Sequence, residues 1–525
     1  MNNYILSELP EFEIKQMDQY FPTVNEGKKY ETRSTMGSKM KMNKNMSGNV
    51  IRSHRSILSD GILMKSGIGK PSIYHALVII FLEYFAWSIL TLPIISKLNN
   101  TFQDHALLMN GIIWGIKGIL SFLSAPLIGA LSDVWGRKLF LLLTVFFTCI
   151  PIPFMCIDSG WFFALISISG LFSVTFSVVF AYVADVSDEK ERSCYYGWIT
   201  GTFGASMVFG PALGSYIMEI YNTNFVVFLA SLIALLNVFF IIVAVPESLP
   251  HKQRTSTNCI SWKKADPFVA LRMVGRDRTI LILCLTVFLS YLPEAGEYSS
   301  LFVYLRLVMG FSMFKVSILI ALLGLFSAVI QSVLGIIMKM MGAKYTIMIG
   351  LVFEIMQLMW FGFGSETWVM WSACFLAAIS SITYPAISSF VSIHSDADKQ
   401  GVVQGVVTGV RGLCGGLGPA MFGFIFYLFD VNLNEGMQMA HTTHHSLNSS
   451  VIITHLKYNI NNNPSSSMIP GPPFVFGSLL VMCALLVSVF IPENIPNGSD
   501  QRHKQIGSST QVQYQIGRIN VQSYL

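Results

Sequence analysis

Six ionisable side chains fall inside long apolar stretches of this 525-residue chain: Glu83, Lys117, Glu294, Glu297, Glu354 and Arg411. A charge at lipid depth is costly, so such a residue pairs with another charge, holds a proton or meets a solute. Four carboxylates stand against two bases, which leaves two carboxyls without a compensating cation. One chemistry open to them is to bind and release protons. The other is permanent pairing of Glu83 or Glu294 with Lys117 or Arg411, which only fastens two helices together, and the residues alone leave both open. Glu294 and Glu297 are three apart, on one helical face with Tyr291 and Tyr298. Asn110, Trp114, Lys117, Ser121 and Ser124 form a second polar stripe.

These residues need membrane-crossing helices to hold them. The chain is 53% hydrophobic and 12% charged, where soluble domains carry about 25% charged residues. Runs long enough to cross a bilayer as helices are predicted at 73–95, 107–131, 139–157, 161–185, 195–218, 224–245, 279–304, 314–338, 344–363, 366–391, 402–428 and 472–491. The expected organisation is a disordered cytoplasmic tail at 1–70, a six-helix bundle at 71–245, a cytoplasmic linker at 246–278, a second six-helix bundle at 279–493 with an outer loop at 431–471, and a tail at 494–525. Basic residues set the orientation. Twenty-eight of the 34 fall in the tails and alternate loops on one side, and only Lys97, Arg306, Lys315 and Lys457 on the other. Positive charge is retained in the cytoplasm, so both termini are expected there.

The chain also repeats itself. Slid by 208 residues, eleven of the thirty-five positions from Val183 to Ile217 meet an identical residue, among them Gly197 and Gly405, Gly201 and Gly409, Gly210 and Gly418, and Pro211 and Pro419. The sixth and twelfth runs both end in Pro-Glu, at Pro246-Glu247 and Pro492-Glu493. Two parallel halves of six helices follow, with a binding site between them near the midplane. Gly401, Gly405, Gly409, Gly412 and Gly416 make one small-residue stripe, which lets two helices approach closely in lipid.

Between the second and third runs lies Gly129-Ala-Leu-Ser-Asp133-Val-Trp-Gly136-Arg137-Lys138. It resembles the loop that joins the second and third helices in the major facilitator superfamily of secondary transporters. Phe81-Leu-Glu83-Tyr-Phe-Ala-Trp87, the stretch from Lys117 to Arg137, Tyr291-Leu-Pro-Glu294-Ala-Gly296 and Gly405-Val-Val-Thr-Gly-Val-Arg411-Gly-Leu-Cys414 carry the likeness further, to the hippocampus abundant transcript-like transporters, over roughly 71–430 and 472–493. That family is allied to sugar and tetracycline-type transporters. The resemblance implies an all-α fold in which the first, fourth, seventh and tenth helices line a cavity, so that Glu83, Glu294 and Glu297 rank first, with Lys117 and Arg411, as substrate or proton-coupling residues. It places Glu354 on a helix facing lipid. It implies a cytoplasmic gate in which Asp133 and Arg137, with Gly129, Gly136 and Lys138, bolt the halves together; Asp185 would partner Arg137, and Glu191 and Arg192 would extend the network. The matching second-half loop, Gly335 to Lys344, has lost its aspartate. Gly210-Pro211-Ala-Leu-Gly214 resembles a fifth-helix antiporter motif but carries Ser206 and Ser215 where glycine is expected, and packing or kinking of a helix pair explains it equally well.

No phosphate-binding loop, nucleophile elbow or metal-ligand cluster stands out, so neither an enzyme nor a cofactor is expected. His441, His444, His445 and His455 lie in a Ser/Asn-rich outer segment and read as part of a flexible insertion without metal. The expectation is a monomeric multi-pass protein of the plasma membrane or an internal membrane, without nucleic-acid partners. Its function would be proton-linked secondary transport of a small organic solute by alternating access. A sugar facilitator and a non-transporting receptor or scaffold of the same fold are the alternatives.

Overall fold

A computed structural model describes residues 67–102, 106–249, 277–396, 399–429 and 471–493. The tails expected before 67 and after 493, most of the linker and nearly all of the His-bearing outer loop lie outside the described residues. Lipid offers no partners for peptide groups, so apolar runs of this length must satisfy their own backbone as helices. The order is α1 (Ile73–Phe102), α2 (Ala106–Trp135), α3 (Arg137–Ile157), α4 (Ser159–Val186), α5 (Glu189–Ile220), α6 (Thr223–Val243), α7 (Arg278–Leu307), α8 (Met313–Ser332), α9 (Ala343–Phe363), α10 (Thr367–His394), α11 (Gln400–Leu428) and α12 (Pro472–Ser488). Ten of these regions are long and apolar enough to span a membrane. The other two are α5, diluted by its polar first turn and its glycines, and the 17-residue α12. Both pack against their neighbours, α5 on α1 and α8, α12 on α7 and α9. The protein is an all-α, multi-pass integral membrane protein.

The ends differ from the sequence expectation where polar residues extend a helix beyond its apolar run. The first helix continues to Phe102, and α5 starts six residues before the predicted 195, with Glu189 and Glu191 in its first turn. Acidic side chains there complement the positive end of the helix dipole. A 3₁₀ turn, Ser169–Phe172, interrupts α4.

The glycine stripe of α11 lies on α2. A Cβ at Gly129 would strike the carbonyl of Gly401, one at Gly405 the carbonyl of Ala125, and one at Gly118 the backbone of Gly412 and Gly416. The relation repeats across the internal symmetry: Gly197 of α5 meets Gln331 of α8, and Gly335, just beyond α8, meets Cys194 of α5. Within each half, Gly210 and Gly214 of α5 press on Ser88 and Ile89 of α1, while Gly418 of α11 presses on Leu292 and Gly296 of α7. The loops repeat too. Gly136 and Gly342 take φ of 110° and 83° as the residues preceding α3 and α9, a backbone region that only glycine enters without strain.

A matched pair of substitutions isolates the seam. Gly405→Ala forces its methyl into the α2 backbone, whereas Gly415 has open space around it. In thermal unfolding of the purified protein, Gly405→Ala is expected to destabilise by about 1–3 kcal/mol, and Gly415→Ala to be neutral or stabilising by up to about 1 kcal/mol. Equal effects at the two positions would show that the seam is not tightly packed.

Candidate functional site

Glu83 sits in the first helix at 3% exposure. Its Oε1 accepts hydrogen bonds from Thr148 of α3 and Thr175 of α4, each at 3.0 Å, and its Oε2 has no partner. Lys117 of α2 lies in electrostatic range of Glu83, but its Nζ is held over two indole rings, 5.2 Å from Trp87 and 4.9 Å from Trp114. Arg411 of α11 lies over Tyr384 at 4.1 Å, Tyr291 at 4.5 Å and Phe176 at 5.5 Å, so its cradle comes from α4, α7 and α10. Its Nε has no hydrogen-bond partner. Glu294 is the carboxylate within its electrostatic range, and it also faces Tyr298. Tyr298 is 59% exposed despite this company, so the cluster opens onto accessible space.

Glu297 does not share that position. It is buried and accepts a hydrogen bond from Gln357 of α9 at 2.8 Å, and Gln357 in turn accepts one from Ser380 of α10. Three residues advance a helix by about 300°, which falls some 60° short of a full turn. That rotation takes Glu297 off the Glu294 face and into the packing between α7 and α9. Glu354, also on α9, is not a lipid-facing residue: it is 3% exposed, with an Oε1 that has no partner.

At the 129–138 end, charged side chains of the first half bond the backbone of the second. Both oxygens of Asp133, at the end of α2, accept backbone N–H groups from the start of α11: Gly401 at 2.8 Å and Val402 at 3.0 Å. These are amides that a helix cannot satisfy itself, at its positive end. Arg137 completes the arrangement from a fully buried position, pairing with Asp133 at 2.6 Å and Asp185 at 3.0 Å and donating to Ser132 at 2.7 Å. Ser248 also donates to Asp185. Lys138 donates through Nζ to the Ile242 carbonyl at 2.9 Å.

Arg192 reaches across to the Ser392 carbonyl at 3.1 Å while holding the Ala184 carbonyl of its own half. Glu191 stays out of this network and accepts from Tyr195 on the exposed side. Three further groups were not singled out from the sequence. Glu247 accepts the N–H groups of Arg137 and Lys138 at 2.8 and 3.1 Å, capping α3; the repeated Pro-Glu ending was its signal. Gln400 donates to the carbonyls of Ser392 and Ser395, and it stands 208 residues after Arg192, as Ser392 does after Ala184. Gln404 donates to the Ser388 carbonyl where Tyr196 donates to that of Phe180. Gly210 and Gly214 of α5, and Gly405, Gly409 and Gly418 of α11, lie close against neighbouring helices, and both helices continue through Pro211 and Pro419.

Comparison with known proteins agrees with this architecture. The Major Facilitator Superfamily pattern matches residues 76–419. The chain is 54% identical over 448 residues to the human hippocampus abundant transcript-like protein 1, covering 85% of each. It is likewise 54% identical to the mouse hippocampus abundant transcript 1 protein over 484 residues, 90% of this chain and 95% of that one. A class B tetracycline resistance protein of Escherichia coli is 23% identical over 67% of this chain and 87% of its own length. Among solved structures, the human organic anion transporter MFSD10 (TETRAN) superposes with a TM-score of 0.65 at 19% identity, covering 79% of this chain and 98% of that one. The chain therefore belongs to the major facilitator superfamily, within the group formed by the hippocampus abundant transcript proteins.

Proposed function

We propose that the protein is a secondary active transporter that moves a small organic solute by alternating access and couples that movement to protons. The observation that carries this reading is the set of charged residues from both halves, Glu83, Lys117, Glu294 and Arg411, clustered at membrane depth. Four such charges are each costly in lipid, and none of them forms a direct ion pair among the described residues that would merely fasten two helices. Asp133 and Arg192 fasten the opposite end, where each bonds the other half. That combination describes a state open on the side away from the 129–138 turn. Rocking of the halves about the site would exchange it for the reverse state.

The excess of basic residues on the side of the turn supports cytoplasmic termini, in a plasma or internal membrane, and with them an outward-open state. The buried charges and the closed end all lie within one copy, which supports a monomer. The proton-binding group is Glu83. Its bare Oε2 is free to take and release a proton, while Oε1 stays fixed by two hydroxyls. The names of its relatives extend the reading to amphipathic drugs and organic anions as the solutes to test first.

Two measurements test this. In proteoliposomes with an internal pH dye, tetracycline and benzoate are offered across an imposed proton gradient. The wild type is expected to show solute-dependent proton flux, and Glu83→Gln to lose at least about tenfold of it while keeping solute exchange without a gradient. Flux indifferent to Glu83→Gln would remove the proton role from this residue. Absence of movement for every solute tried, in well-folded protein, would favour a receptor or scaffold.

The closed end is read through Cys194, which is half-buried against Gly335. With Cys156, Cys259 and Cys483 replaced by serine, Asp133→Ala is expected to raise its labelling rate by a polar maleimide several-fold, matching about 0.5–2 kcal/mol for a lost helix cap. An unchanged rate would mean that Asp133 does not hold this end shut.

A further inference from the structure

The second half gathers three carboxyl groups at lipid depth. Glu294 and Glu297 come from α7 and Glu354 from α9, and each lies within electrostatic range of the other two. Arg411 faces Glu294 and compensates it. Among the described residues, no cation comes within ion-pair distance of Glu297 or Glu354. Both of these acids are buried, but they are held differently. Glu297 Oε2 accepts from Gln357 at 2.8 Å, whereas Glu354 Oε1 is shut away from solvent without a partner. The remaining groups around the pair are uncharged. From α7 comes Tyr298, beside Glu294. From α10 come the Cys374 thiol, near Glu297, and Ser380, which donates to Gln357 at 2.8 Å; Tyr384 of the same helix is turned to Arg411. α12, which packs on α7 and α9, carries a single titratable side chain, the exposed Cys483.

We propose that Glu297 and Glu354 form a second proton-binding site, additional to Glu83 and contained in the second half. A buried carboxylate without a cation is far costlier than the same group carrying its proton. With Glu294 ionised against Arg411, the cluster is neutral when both Glu297 and Glu354 hold protons. A purely structural carboxyl would have its oxygens fixed by hydrogen bonds, and the bare Oε1 of Glu354 is not. A metal ion fits the place less well than a proton. It needs several oxygens converging on one point, yet Gln357 turns an N–H toward Glu297 and its own oxygen is taken by Ser380. Among the described residues, no three acidic, His or Cys side chains converge closely enough to hold a metal. Glu294 connects the pair to the exposed side of the cluster at Tyr298. A solute that draws Arg411 away from Glu294 leaves a third carboxyl to be neutralised, so occupancy of the centre changes the number of protons this half holds. The site rests on the transport reading for proton movement alone, and proton binding stands without it.

The test reads the carbonyl stretch of protonated carboxyl groups by infrared spectroscopy of the purified full-length protein. Surface acids are ionised near neutral pH, so a band that remains there comes from buried carboxyls. In a Glu83→Gln background the band is expected to persist, and Glu354→Gln and Glu297→Gln should each remove part of it. Raising the pH to about 10 should make it fade while the helical amide band holds. Replacing sodium by choline should leave it unchanged. If Glu297→Gln does not fold, Glu354→Gln reads the same site. Absence of the band, its loss to Glu294→Gln alone, a band that never fades with pH, or one that appears only when sodium is removed overturns the proposal. Proton flux in proteoliposomes offered tetracycline or benzoate separates the two readings. A titrating band in protein that moves neither solute keeps the site and removes transport, whereas coupled flux without the band keeps transport through Glu83 and removes the second site.

Discussion

Helices in lipid gain nothing from hiding apolar side chains from one another, so what holds two of them together is close approach and the polar contacts that approach permits. In this protein the contact that matters most is the crossing of α2 with α11. Its glycines bring the two backbones together at Gly129 and Gly401, at Ala125 and Gly405, and at Gly118 and Gly412. Each meeting point supports a different part of the molecule. The first delivers the Asp133 carboxylate to the free amides of α11, and the last lies one residue from Lys117 on α2 and one from Arg411 on α11. A side chain at Gly129, Gly401 or Gly405 would press on the opposing backbone and push the two helices apart.

The two halves share a plan but divide the electrostatic work unequally. Arg192 and Gln400 occupy equivalent places and grip equivalent carbonyls, those of Ala184 and Ser392. Asp185, the second acid on Arg137, is replaced by Ile393 in the later repeat. Glu247 caps a helix through two N–H groups, whereas Glu493 pairs with Lys344 at 3.6 Å from a more exposed position. The first half thus holds its end with buried charges. Breaking such a pair costs about 3–5 kcal/mol when one partner is removed. The second half keeps its ion pairs nearer the surface and fills the buried positions with Gln400, Gln404 and Ser392, whose bonds are each worth about 1 kcal/mol.

Much of this was legible in the sequence because it depends on periodicity. Runs of apolar residues located the described helices α1 to α12, and the 208-residue repeat picked out Gly405 and Gly409 of the seam. The ionisable residues at lipid depth were equally plain, but their partners were not. Whether Glu294 or Glu297 faces Arg411 turns on 60° of helix rotation, which a spacing of three does not resolve. The hydroxyls of Thr148 and Thr175 that hold Glu83, and the rings that cradle Lys117 and Arg411, come from other helices whose relative rotation no local pattern encodes. Glu247 lies 110 residues from Arg137, and only the fold makes it a helix cap.

The α2–α11 seam has one further property. Ordinary helix pairs mesh ridges of side chains into grooves, and this fixes their register like the teeth of two gears. Where Gly118 faces Gly412 and Gly129 faces Gly401 the teeth are missing, and each helix rides on the bare backbone of the other. Such a contact resists separation but offers little resistance to small slips along its length. Under the proposed rocking, the crossing at Gly118 and Gly412 would serve as the bearing, while the one at Gly129 and Gly401, beside Asp133, would part.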